Sequence, residues 1–180
     1  MNKAEIAAQC QWDYYDMGHL RLHVPLFGVE LPFTLFPVDG AGPELTDKMA
    51  VTIADVLALD PAQLFRVKAM MWEEANFAFQ VADYGVESRP GETSLEAHLR
   101  EFGIAGPEDA FARSVLEGVE IHDQFDSRFA ELKLVTGANN LVAVVVKDGR
   151  IIDWGDDGLY LGEFEEDEQI LSKRRQAVLR

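Results

Sequence analysis

Leu141-Val142-Ala143-Val144-Val145-Val146-Lys147, followed by Asp148-Gly149 and Arg150-Ile151-Ile152, carries the strongest structural signal in the chain. A valine-rich run favours extended backbone, where a branched Cβ packs without crowding a preceding helical turn. Apolar residues without polar alternation mean a strand covered on both faces, so the reading places this strand at the centre of a sheet. Asp148-Gly149 supplies two residues that tolerate positive φ, as a type I′ hairpin requires. The chain turns back on itself here, and the sheet must contain antiparallel pairs.

Working outward, Phe129 to Thr136 reads as a strand in which Leu132 and Leu134 alternate with Glu131 and Lys133, closed by the turn Gly137-Ala138-Asn139-Asn140. Val119 to Phe125 reads as another. Near the N-terminus, Leu20, Leu22, Val24 and Leu26 alternate with Arg21 and His23, and beyond Gly28 the residues Val29, Leu31, Phe33 and Leu35 alternate with Glu30 and Thr34. Pro32 lacks an amide donor, which assigns its strand to an edge or a bulge. The first dozen residues form a short helix.

The middle of the chain changes period. Leu45 to Leu59 is helical, capped near Thr46 or Asp47. Asp60-Pro61-Ala62-Gln63 opens a longer helix that should run to about Tyr84 and stop at Gly85. Leu64, Val67, Met71, Ala75, Ala78 and Ala82 form its core stripe, and Phe65, Trp72 and Phe79 a second flank for the core or for a partner. Thr93-Ser94-Leu95-Glu96 is a capping box, and that helix places His98 on its surface. Pro107 opens a helix to about Leu116, with Gly118 as its stop. Glu163 to Leu179 reads as a final helix, acidic in its first turns and basic at Lys173, Arg174, Arg175 and Arg180, the polarity that a helix dipole favours. Strands, helices, strands and one C-terminal helix describe an α+β single domain over residues 1–180, an antiparallel sheet packed by helices.

Charge narrows function. The formal net charge is -16, and Asp153 to Glu168 holds eight acidic side chains and no basic one. Such a surface repels phosphate and anionic lipid and attracts basic partners, so direct nucleic-acid and membrane association are not expected. A single cysteine, Cys10, and no apolar run long enough to span a bilayer point to a cytoplasmic location.

Tests for chemistry return little. Asp153-Trp154-Gly155-Asp156-Asp157-Gly158 fails the EF-hand template, since Gly155 cannot supply the third ligand and Phe164 stands at the twelfth position. His19 and His23 share a strand face about 13 Å apart, too far for one metal. His122 with Asp123 and Asp126 is the one His–carboxylate cluster near a strand end, an acid–base candidate for an uncharacterised hydrolase. No catalytic residue, cofactor or metal set is assigned. The better lead is aromatic: Trp12, Tyr14, Tyr15, Trp72, Trp154 and Tyr160 are types that dominate interface hot spots, and several stand beside acids.

Two stretches look familiar together. One is Thr46-Asp47-Lys48-Met49-Ala50-Val51-Thr52-Ile53-Ala54-Asp55-Val56-Leu57-Ala58-Leu59 with the Pro61 helix bearing Lys68 and Trp72-Glu73-Glu74; the other is the hairpin Leu141 to Ile152. They resemble small, functionally uncharacterised bacterial proteins, some of which look like immunity proteins encoded beside secreted toxins. Many of those carry an acidic residue, His and Gly before the hairpin, where this chain has Gly137-Ala138-Asn139-Asn140. The resemblance implies an inhibitor and transfers no catalytic residue. The expectation is a non-enzymatic acidic protein-binding domain for a basic protein partner such as a toxin domain, contacting it through Asp153, Trp154, Asp156, Asp157 and Tyr160. A self-associating adaptor module and the His122 hydrolase are the alternatives.

Overall fold

A computed structural model describes residues 1–180. The N-terminal helix α1 (Lys3–Gln9) leads through β1 (Gln11–Trp12) into β2 (Gly18–Val24) and β3 (Val29–Phe36). Four helices follow: α2 (Asp47–Leu57), α3 (Leu64–Val81), α4 (Ser94–Glu101) and α5 (Pro107–Ala112). The chain then builds β4 (Val115–His122), β5 (Phe129–Val135), β6 (Leu141–Lys147) and β7 (Arg150–Asp156), and ends in α6 (Ile170–Val178). The strands form one seven-stranded sheet in chain order. The architecture is α+β as expected, but the sheet is mixed: every pairing is antiparallel except β3 with β4.

The alternation along β2 and β3 explains the main core. Leu20, Leu22, Val24, Leu31, Phe33 and Leu35 point to one face, where Met49, Ile53 and Val56 of α2 and Val67, Met71 and Phe79 of α3 meet them. Burying such side chains contributes about 1.5–3 kcal/mol each. A smaller cluster lies on the opposite face, where Phe129 and Val145 are covered by Leu161 and Phe164. β6 is thus buried on both faces, as its composition demands. It is not central, however; it lies next to the edge strand β7, and its second face is covered by the C-terminal segment.

Several local expectations are corrected. Pro32 sits in an internal strand, and the irregularity it requires falls on its neighbour: the β4 register shifts between Leu116 and Gly118. Gly118 is a strand residue rather than a helix stop, and an added Cβ there would lie 2.8 Å from the Pro32 carbonyl oxygen. Accordingly α5 ends at Ala112, and its neighbouring strand starts at Val115 and ends at His122. Helix α3 ends at Val81, where the backbone turns extended at Ala82 so that the Tyr84 amide can donate to His98 Nε2 at 3.1 Å. His98 is not a surface residue; it is fully buried, with Nδ1 on the Ser94 carbonyl at 2.7 Å.

The C-terminal helix is also shorter than its charge pattern suggests. Leu161–Glu165 is a 3₁₀ turn, in which residues three apart point the same way, and this seats both Leu161 and Phe164 on the sheet. Its acids act through discrete partners rather than a helix dipole. Glu163 takes Arg174 at 2.7 Å, Glu165 takes the Ser127 amide at 2.8 Å, Asp167 takes Lys173 at 2.5 Å, and Glu168 takes Arg150 at 2.7 Å. No helix is long and apolar enough to cross a membrane.

The close approach of Gly118 to the Pro32 backbone makes Gly118→Ala a sharp test of the β3–β4 junction. We expect it to destabilise the protein by about 1–3 kcal/mol in urea unfolding, although alanine suits an extended strand better than glycine does.

Candidate binding groove

The expected loop at Asp153 is instead the last part of β7, and the edge strand turns two of the expected contact residues inward. Asp153 and Trp154 are only 1% and 2% exposed. The Asp153 carboxylate accepts from the Trp154 amide at 2.9 Å, from the Ser172 amide at 2.9 Å, from Ser172 Oγ at 2.6 Å and from Arg175 Nη2 at 2.8 Å. Arg175 also donates to the Trp154 carbonyl and lies 3.4 Å from the centre of the Trp154 ring. Burial pulls the Arg175 guanidinium below its ordinary range, and the Asp153 charge opposes that shift. Helix α6 has no buried residue of its own. It is held to the sheet edge by this charged, hydrogen-bonded pair, with Leu171 and Leu159 packed over Gly155.

Because α6 is fastened along β7 rather than sunk into the core, grooves remain on either side of Arg175. The larger, about 600 Å³, lies between α3, the Asn139–Leu141 turn, β7 and α6. Phe77, Ala78, Val81, Leu171 and Val178 supply its apolar walls, and Glu74, Tyr84, Asn140, Asp156, Asp157 and Arg174 its polar atoms. A second, about 510 Å³, runs past Trp72, Glu73, Asn76 and Gln176. Trp154 and Arg175 border both.

Glu74 is the anomaly of this groove. It projects from the core flank of α3, only 8% exposed, and its one side-chain partner is Asn140 Nδ2 at 3.3 Å. The same amide group donates to the Tyr84 hydroxyl at 2.9 Å, and the turn holds Asn140 through its amide to Thr136 Oγ1 at 3.1 Å. No cation pairs with Glu74. Burial pushes its carboxyl up to about 7, and the nearby Asp156 charge adds to that, against smaller opposing effects from Asn140 and Arg175. Trp154 carries a second unmet need, since its buried Nε1 has no hydrogen-bond partner. The groove therefore carries a buried acceptor short of donors, Glu74, beside a tryptophan whose indole N–H is buried and unpaired. That suits a ligand with a cationic head and an apolar stem.

The remaining expected residues separate. Asp156 and Asp157 are exposed at the groove mouth, with Asp157 on Lys133 at 2.5 Å. Tyr160 is 67% exposed but packs edge-on to Phe125 over the second-face cluster, away from the groove. Asp153 is spent on α6, so the loop offers no converging oxygens for a cation. The other aromatic residues also divide. Tyr14 and Tyr15 are exposed, Trp12 and Trp72 are half-buried, and Phe65, Trp72 and Phe79 run from exposed to fully buried without forming one face. His122 does not meet Asp123 or Asp126. Strand alternation sends Asp123 to the opposite face, where its carboxylate is 3.5 Å from Lys48, while His122 Nε2 lies 2.7 Å from Glu131. Sequence reading missed Glu74 and Asn140; the only signal was an acid on the core side of an otherwise apolar helical stripe.

No protein-family model, curated protein or solved structure matches the chain. The resemblance to immunity proteins rests on its two stretches alone.

Two outcomes test the groove. Glu74 ionises more readily unfolded than folded, so its contribution to stability is complete below about pH 4.5 and lost as pH rises to about 7. Glu74→Gln should therefore gain on the wild type by up to about 3 kcal/mol across that window and keep the gain above it, measured by urea unfolding at pH 4.5 and pH 8. Asp153→Ala leaves Arg175 without its counter-charge and should cost about 3 kcal/mol in the same assay.

Proposed function

We propose that the chain is a non-enzymatic binding domain for a basic protein partner, and that the groove beside α6 receives one cationic side chain of that partner. An immunity-type inhibitor that occludes a basic toxin domain is the specific form of this reading. The observation that carries it is Glu74, a buried carboxylate without a cation that opens onto an apolar groove with Asp156 at its mouth. A lysine or arginine entering the groove would lay its methylene stem on Phe77 and Val81 and bring its charge to Glu74.

The charge distribution supports the choice of a basic partner. Every lysine of the chain is already ion-paired to an acid of its own. With 32 acids against 16 lysines and arginines, a net charge of -16 is left to act outward. Such a field raises the association rate of a cationic partner, and salt weakens it. Exposed Tyr14 and Tyr15, with Asp16 on the same turn, offer a second set of aromatic anchors.

The test uses tagged full-length protein in extracts of its native host. Wild type should retain a basic partner in stoichiometric amount at low salt and lose it at high salt. The double variant Glu74→Gln, Asp156→Lys should lose it under both conditions. With the purified pair, Glu74→Gln alone should weaken affinity about tenfold or more. Wild-type affinity should rise with pH through about 7, because the cation must take up Glu74 in its ionised form. Equal retention by wild type and the double variant would remove the groove from the interface.

A further inference from the structure

We propose that Glu120, His122 and Glu131 form a binding site for a divalent first-row transition ion such as Zn²⁺. The site lies on the second face of the sheet, on the far side from α2 and α3, and does not depend on the groove reading.

The strand register creates it. Glu120 and Glu131 are directly opposed partners of β4 and β5. Two like charges in that relation repel, and sheets ordinarily avoid it. Here the repulsion is aggravated by burial, since Glu131 is among the buried charged residues and Glu120 is half-buried. His122, two residues along β4 on the same face, brings Nε2 to 2.7 Å from Glu131 and 3.8 Å from Glu120. One nitrogen and two carboxylate oxygens thus lie within 4.8 Å of one another. The His122 ring is stacked on Phe36 with centroids 4.9 Å apart and planes within 5°, which fixes the direction of its lone pair. Strands hold such a set more rigidly than loops do.

Lys133 is the existing counter-charge, 3.5 Å from Glu120 and 3.8 Å from Glu131, but its shortest contact is Asp157 at 2.5 Å. It has a better partner to keep when a dication takes the carboxylates. An imidazole with two carboxylates selects a transition ion over Mg²⁺ or Ca²⁺, which prefer oxygen alone. Three protein ligands leave further coordination positions open. Access exists on both flanks, from a cavity of about 510 Å³ bordered by Phe36 and His122 and from one of about 240 Å³ bordered by Glu120 and Lys133. The competing account is a purely structural cluster in which Lys133 and the His122 ring alone satisfy the two carboxylates.

Full-length protein stripped with chelator is titrated with Zn²⁺ by calorimetry and with Co²⁺ by visible absorption. The expected result is one ion per chain at micromolar or better affinity, Co²⁺ bands in the visible, and no comparable heat from Mg²⁺. Glu131→Gln and His122→Asn should each weaken binding about tenfold or more. Glu120→Gln, nearer solvent and so tolerated by the fold, should do the same. Lys133→Gln should strengthen it, and His23→Asn, exposed on the same sheet face, should leave it unchanged. Absence of uptake by folded wild type overturns the site, as does uptake that survives Glu120→Gln and Glu131→Gln unchanged.

Discussion

The one parallel pairing, β3 beside β4, constrains everything else in this fold. Parallel neighbours cannot be joined by a hairpin; the chain must leave the sheet and return at the same end. Residues 37–114 make that crossover and carry α2 to α5 with them. The main core consequently forms between those helices and one face of the sheet. The other face is left to the C-terminal segment, which covers β5 to β7 through Leu161 and Phe164 and leaves His19, Arg21 and His23 of β2 open to solvent. The partly covered second face and the α6-bordered groove both follow from that division.

The edge at β7 is managed by polar chemistry. An edge strand exposes unpaired backbone groups and invites pairing with other chains unless something covers it. Here α6 does so, with Arg175 taking the Trp154 carbonyl and Asp153 binding both Ser172 and Arg175. A helix held by a few charged contacts follows the strand without filling the space beside it, which is why grooves flank it. Glu74 faces that space without a cation. A buried acid lacking a counter-ion breaks the rule that the rest of the chain obeys, and such departures concentrate at functional sites.

Lys133 links the two regions of interest. It reaches Asp157 at the groove mouth and Glu120 and Glu131 on the second face. Burial works against its charge, yet Asp157, Glu131 and Glu120 together raise its affinity for the proton above the ordinary value. Charge changes on either side of the sheet edge are therefore felt on the other through one side chain.

Much of the architecture was legible in the sequence because it rests on local chemistry. Alternation in Leu20 to Val24, the valine run of β6, positive φ at Asp148 and Gly149, and the caps at Thr46 and Thr93 depend only on residues close in the chain. What remained hidden depends on partners far away in sequence. Asp153 reads as a loop acid until Arg175 folds over it, and His98 reads as surface until Tyr84 closes on it. The eight acids from Asp153 to Glu168 read as one negative stretch, yet most are divided among separate basic or hydroxyl partners. The α+β class and the acidity were thus set by composition and period. The groove, the isolation of Glu74 and the meeting of His122 with Glu120 and Glu131 were decided by tertiary structure, because only strand register and helix docking bring those charges within reach of each other.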